Sequence, residues 1–219
     1  MNSQQKTVAI LGNGAVGIAV AKGFAELGYR VIFGTRDVGS SKTRDAVAVV
    51  TGATATSYAA AAHAADIAFI AVPYAALQDV LALAGAENLA GKLVIDATNP
   101  VDFSTGAPQL AIGFTDSAGE IVQRALPNAK VVKAFNIIAA HRMVHPQFTD
   151  GTPDMIIAGN DAAAKVTVTA LLEQFGWRKA IDLGDITASR LLESLAMVWI
   201  SYAFKNNHWT HGFSVLGRG

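Results

Sequence analysis

The sequence predicts an α/β fold, a doubly wound and mostly parallel sheet with a small helical addition at the C-terminal end, and three observations predict it. Short apolar runs alternate with longer stretches of helical period, the rhythm of strand–helix–strand units. A glycine-rich turn, Gly12-Asn13-Gly14-Ala15-Val16-Gly17, stands between the first apolar run and the first helical stretch. Finally, 52% hydrophobic and 16% charged residues in a chain of 219 give enough apolar surface to cover a sheet on both faces.

In chain order, a strand is expected at 7–11, a helix at 15–27 and a second strand at 30–34. Residues 45–65, rich in alanine and threonine, carry no clear period; a short strand at 53–56 and then a helix are expected there. The run Ile67-Ala68-Phe69-Ile70-Ala71-Val72 lies between Asp66 and Pro73. It is far shorter than the roughly 20 residues that span a bilayer, so it reads as a buried strand. Further strands are expected at 93–96, 130–135, 155–158 and 179–182, and helices at 75–83, 119–126 and 162–175. Asn160-Asp161 opens the last of these helices and Gly176 closes it. Over 188–204, Leu191, Leu195, Val198 and Tyr202 share one helical face, with Leu192, Trp199 and Ala203 beside it. That stripe is wider than a helix on one sheet edge needs, so a homodimer contact is expected through it; the alternative is that the helix folds back over its own domain and completes the core. The expected division is a dinucleotide-binding domain over 1–185 and a helix and tail over 186–219 that serve the pocket or the dimer.

Charge and cysteine content narrow the function. Lys+Arg and Asp+Glu both number 17, so no bulk field draws nucleic acid or an anionic membrane surface. With no cysteine, a disulfide framework, a thiolate metal site and a catalytic thiol are excluded, and redox chemistry needs a bound cofactor. The start, Met1-Asn2-Ser3-Gln4-Gln5-Lys6, has no apolar stretch behind a basic end, so a cytoplasmic protein without a leader or membrane anchor is expected.

The glycine turn is a dinucleotide fingerprint of the Rossmann type because it follows a strand and opens a helix. Gly12 permits the tight turn, Gly14 lets the backbone approach a pyrophosphate, and Gly17 lets helix and strand pack closely. The helix N-terminus then offers amides and a positive dipole end to the phosphates. An NAD site places Asp or Glu at the end of the second strand, about 20 residues on. Here that strand ends Phe33-Gly34-Thr35-Arg36, a hydroxyl and a guanidinium suited to a 2′-phosphate, with Ser40, Ser41 and Lys42 nearby as donors. The expectation is NADP; the alternative is that Arg36 caps a solvated loop and Asp37 takes the acidic role. Two later turns, Val72-Pro73-Tyr74 and Asp96-Ala97-Thr98-Asn99-Pro100, lie at carboxyl ends of strands and are expected to wall the nicotinamide. Asp96 is expected to fix its loop by accepting backbone amides rather than to act as an acid. His141, His145, His208 and His211 are read as surface or loop residues, because hydride transfer needs positioning more than an acid or base. No catalytic side chain and no metal site are assigned.

These blocks, together with Val131-Val132-Lys133-Ala134-Phe135-Asn136 and Ser189-Arg190-Leu191-Leu192-Glu193-Ser194-Leu195, resemble the deazaflavin coenzyme F-420-dependent NADP reductases over nearly the whole chain. They are also similar to the cytosolic reductase domain of the membrane metalloreductases, whose version of the Lys133-Ala134-Phe135-Asn136 block is the closer one. The resemblance implies that Thr35 and Arg36 hold the 2′-phosphate. It also implies that the nicotinamide faces a pocket lined by Val72-Pro73, Asn99-Pro100 and the segment with Asn136, Ile138 and Ala139, where a partner ring stacks.

Three functions stay open on sequence. The leading one is an NADPH-dependent oxidoreductase passing hydride to a flavin, a deazaflavin or a small carbonyl-like acceptor. A 3-hydroxyacid or imine reductase needs a long helical second domain, for which the stretch after Asp185 is short. A non-catalytic NADPH-binding sensor would use the same fingerprint and signal to a partner protein.

Overall fold

The computed structural model describes residues 5–217. Residues 1–4, on which the expectation of no leader partly rests, lie outside the described residues. Strand β1 (Thr7–Leu11) turns at Gly12 into helix α1 (Ala15–Glu26), which returns to β2 (Arg30–Thr35). There follow α2 (Ser41–Ala48), β3 (Thr54–Ser57), α3 (Tyr58–Ala64), β4 (Ile67–Ile70), α4 (Tyr74–Ala84) and β5 (Leu93–Asp96). A two-stranded hairpin of β6 (Val101–Asp102) and β7 (Gln109–Leu110) leads to α5 (Ala118–Ala125) and β8 (Lys130–Lys133). The chain closes with β9 (Met155–Gly159), α6 (Ala162–Gln174), β10 (Ala180–Asp182) and α7 (Ser189–Asn206).

The main sheet has eight strands in the order β10-β9-β8-β5-β4-β1-β2-β3. Neighbours run parallel except β8 and β9, which pair antiparallel. The chain leaves β1 toward β2 and β3 on one side and resumes at β4 on the other, so the crevice of a doubly wound sheet opens at the carboxyl ends of β1 and β4. Alternation along each strand fills both faces. Val8, Ile10, Phe33, Phe69 and Ile95 point to the layer holding α1, α6 and α7, while Ala9, Leu11, Ala68, Ile70 and Val94 point to the layer of α3, α4 and α5.

Several expectations are corrected. The strand expected at 67–72 ends at Ile70, because Val72-Pro73 already turns the chain into α4 and proline has no N–H for a ladder. The strand expected at 130–135 ends at Lys133, since Phe135 takes φ 64 and leaves the extended region. Helix α2 escapes detection because it is polar and largely exposed, burying only Thr43 and Ala46. The β6–β7 hairpin is equally unforeseen. In 45–65 the expected strand and helix are present as β3 and α3. At α6 the capping residue is Asp161, whose carboxylate accepts the Ala164 N–H at 2.7 Å, and not Asn160.

On helix α7 the buried side lies beside the stripe expected to make a dimer contact. Leu192, Glu193, Ala196, Trp199 and Ala203 face the body, whereas Leu191, Val198 and Tyr202 stay exposed. Beyond it the tail folds back: Trp199 Nε1 donates to the His211 carbonyl at 3.0 Å, and the Val215 N–H donates to the buried Asp154 carboxylate at 2.7 Å. Arg178 grips the same Asp154 with two hydrogen bonds, at 2.8 and 2.6 Å.

Candidate functional site

The three fingerprint glycines differ in what makes them glycine. A Cβ on Gly12 would stand 2.3 Å from the Ala71 carbonyl oxygen, and Gly12 has φ +128. A Cβ on Gly17 would stand 2.0 Å from the Gly12 carbonyl oxygen. Both are demanded by the chain's own packing. A Cβ on Gly14 would meet nothing within 4 Å, in an ordinary backbone conformation of φ −87 and ψ −173. Gly14 also caps α1 without a side-chain partner, so the first amides of that helix are free of any capping group. The space above Gly14 and those amides fit a dinucleotide pyrophosphate.

At the end of β2, Thr43, which the sequence reading missed, organises the hydroxyls. Its Oγ1 accepts from Asn13 Nδ2 at 2.9 Å, lies 2.9 Å from Ser40 Oγ and 3.3 Å from Thr35 Oγ1, and donates to the Asp37 carbonyl. Ser40 caps α2, accepting the Thr43 N–H at 3.2 Å. Lys42 is exposed on the first turn of that helix. The Asp37 carboxylate is occupied by its own turn, where it accepts the Gly39 N–H at 2.8 Å. Arg36 reaches across to α4 and bonds the Asp79 carboxylate through one Nη at 2.9 Å. A hydroxyl-lined helix start beside a guanidinium suits a phosphate monoester better than a ribose hydroxyl.

From Gly14, Ala15 and Val16 a cleft of about 700 Å³ runs along the carboxyl end of the sheet, past Val72, Pro73 and Tyr74 on one turn and Thr98 and Asn99 on another. Its far wall is Phe103 from the hairpin with Ile200, Phe204 and Trp209 from α7 and the tail. Phe204 lies 6.3 Å from Phe103 and 5.0 Å from Trp209, centroid to centroid. Of the residues assigned from sequence, Gly14, Ala15, Val16, Val72, Pro73 and Asn99 meet on this cleft. Asn136 is buried one layer back. It exchanges hydrogen bonds with Asn99, at 2.7 and 3.0 Å, and donates to the Leu192 carbonyl at 3.0 Å. Pro100 is buried and accepts the Ala111 N–H at 2.7 Å, which pins the hairpin. Ile138 is buried away from the cleft, and Ala139 precedes a short turn lying over α1.

Beneath the Thr98–Asn99 wall lies a second feature that the sequence reading missed. Lys133 is fully buried, with Nζ 2.9 Å from Asp96, 2.7 Å from Glu193 and 2.5 Å from the Thr98 carbonyl. Asp96 accepts the Thr98 N–H at 2.9 Å and its hydroxyl at 2.7 Å, the loop-fixing role expected of it. Glu193 accepts the Ala118 and Gly119 amides at the start of α5, each at 3.0 Å. Burial works against the Lys133 ammonium, yet Asp96 and Glu193 overcome it and hold its pKa above the ordinary lysine value. Burial raises Glu193 above the usual carboxylate range, against the pull of Lys133. The cluster ties the Thr98–Asn99 wall of the cleft to α7, and so to the aromatic wall. Its signals in the sequence are a lysine closing an apolar strand and a glutamate on an apolar helix face.

The family model of the NADP oxidoreductase coenzyme F420-dependent group matches residues 7–100. The F420-dependent NADP reductase of Methanothermobacter marburgensis is 32% identical over 91% of this chain and 93% of the relative. The chain belongs to this family. A crystal structure from Arthrobacter sp. FB24, provisionally assigned as an F420-dependent NADP-reductase, is 38% identical, covers 96% of this chain and 99% of its own, and superposes with a TM-score of 0.91. Metalloreductase STEAP3 of Rattus norvegicus is 27% identical over 87% of this chain, which spans 36% of the rat protein. The protein is therefore of an NADP-dependent oxidoreductase family with a Rossmann-like fold.

Within this family member the histidines lie apart from the cleft's lining. His141 contacts Thr210 at 3.0 Å, His145 is exposed and pairs with Glu26 at 3.1 Å, and His211 stacks on Trp199 with centroids 4.5 Å apart. Phe135 packs among Phe69, Phe175 and Trp177 in the core. No described helix is long and apolar enough to cross a membrane.

Proposed function

We propose that the protein moves hydride between NADP(H) and a flavin or deazaflavin ring bound beside the nicotinamide. The observation that carries this reading is the single cleft that starts at Gly14–Val16 and ends on Phe103, Phe204 and Trp209. In this reading Gly12–Gly17 receive the pyrophosphate, and Thr35, Arg36, Ser40 and Lys42 receive the 2′-phosphate. Val72, Pro73 and Asn99 frame the nicotinamide, with Asn136 and Pro100 holding that frame. The nucleotide, when bound, supplies the hydride chemistry. The chain orients the two rings, stacks the acceptor on aromatic faces and excludes water from the apolar cleft. No side chain is asked to move a proton.

An acceptor screen tests this. Purified protein and NADPH are followed at the nicotinamide absorbance band with riboflavin phosphate, coenzyme F420, a ferric chelate or a cyclic imine added. Faster consumption with a flavin or deazaflavin is expected. Turnover with the imine alone moves the assignment to imine reduction, and tight NADPH binding without consumption by any of them leaves a sensor.

We also propose that residues 186–219 serve as a pocket wall and a homodimer contact. The exposed apolar side chains Leu191, Val198 and Tyr202 on one face of α7 support it. Trp199, which lies beside that face, is buried in its own chain, so Leu191→Glu with Val198→Glu is the informative variant. Light scattering is expected to show a dimer for the parent chain and a monomer for the variant; a monomeric parent overturns it.

A further inference from the structure

Resting on the reading of Arg36 as the 2′-phosphate ligand, we propose that Asp79 is a specificity-determining residue that competes with the nucleotide for this guanidinium. Arg36 is the first residue past β2, and Asp79 lies on the second turn of α4, which follows the strand on the far side of β1. Their 2.9 Å bond thus bridges two connections that flank the dinucleotide turn. The contact is end-on through one Nη, not a two-pronged clamp, and both side chains are more than half exposed, at 55% and 71%. An exposed single-point pair is weak and breaks readily. The other nearby carboxylate, Asp37, is committed to the Gly39 amide, which leaves Asp79 as the anion on Arg36.

A 2′-phosphate carries close to two negative charges and seeks the same guanidinium. It must either displace Asp79 or share Arg36 with it, and the carboxylate repels it in both cases. NAD, with a hydroxyl in that position, meets almost none of this cost. Asp79 therefore lowers the affinity for NADP selectively and reduces its advantage over NAD. The consequence is ready exchange of NADP and NADPH at a site otherwise built to hold a phosphate.

Calorimetric titration at low ionic strength, where screening is least, tests the assignment on four proteins: the parent chain, Asp79→Asn, Arg36→Ala and the double variant. Asp79→Asn is expected to tighten NADP+ by about three- to tenfold and to leave NAD+ within about twofold, the span of a lost exposed ion pair and a lost like charge. In the Arg36→Ala background only the like-charge part remains, so the same substitution is expected to tighten NADP+ clearly less than it does in the parent chain. Weaker or unchanged NADP+ binding in Asp79→Asn, equal tightening of both nucleotides, or full tightening without Arg36 each overturns the role of Asp79 alone. An Arg36→Ala protein that keeps its preference for NADP+ overturns the 2′-phosphate reading, and the role of Asp79 with it.

Discussion

The two ends of the cleft are shaped by different means. At the glycine-turn end, Gly12 and Gly17 have their Cβ positions blocked by main-chain oxygens at 2.3 and 2.0 Å, and the turn is backbone fitted to backbone. At the aromatic end the walls are side chains, Phe103, Phe204 and Trp209, which come from a hairpin, a helix and a tail. Charge divides the same way: the Arg36–Asp79 pair at the glycine-turn end is exposed, while Lys133 between Asp96 and Glu193 has no exposed surface. The first kind of pair can exchange partners with a ligand; the second is bound into the fold. In the proposed reading, a phosphate is met by surface charge, and buried charge sets the walls between which two rings would lie.

The largest expected effect would break the buried side of this comparison. Lys133→Met leaves Asp96 and Glu193 without their cation and is expected to destabilise the fold by about 3–5 kcal/mol, read by urea unfolding. Lys133→Met with Glu193→Gln is expected to recover part of that loss. A single variant within about 1 kcal/mol of the parent would show that the cluster does not join α7 to the sheet.

Next is the phosphate side. Arg36→Ala is expected to weaken NADPH by about 1.5–3 kcal/mol more than NADH, with the melting temperature unchanged, because the side chain is exposed and only its charge is lost. Equal loss of both nucleotides contradicts it.

The glycines sharpen the contrast within the turn itself. Gly17→Ala places a Cβ against main chain and is expected to cost about 1–3 kcal/mol of stability in a chemical melt. Gly14→Val should keep the stability and lose nucleotide affinity in a titration, since its Cβ meets nothing in the protein. A folded Gly14→Val protein that still binds NADPH would make the turn a turn and no more.

The smallest effect concerns the tail that carries Trp209. Burial opposes the Asp154 carboxylate, but the Arg178 hydrogen bonds and the Val215 N–H outweigh it and hold its pKa below the usual aspartate value. A lowered folded value contributes stability that is complete above about pH 3.9 and is lost as pH falls through the folded value. Trp209 fluorescence is expected to report the tail still docked just below pH 3.9 and released at stronger acid, and to report release at neutral pH in Asp154→Ala.

What the sequence determined by itself was whatever depends on neighbours in the chain. The alternation of β1 through β5, the turn from Gly12 to Gly17 and the hydroxyl–guanidinium ending of β2 are all local, because backbone clash, helix capping and strand period act within a few residues. Polar helix α2 and the β6–β7 hairpin were missed even though they are local, since neither buries an apolar face that a pattern could reveal. The tertiary structure alone decided which side of α7 is buried, because that helix is apolar on several sides and the choice was made by Glu193 reaching Lys133 and the amides of α5. It also decided that Asp79 meets Arg36, 43 positions away, and that Lys133 meets Asp96, 37 away. Such pairs follow no spacing rule: the order in which strands enter the sheet brings them together, and that order is fixed by packing the whole chain.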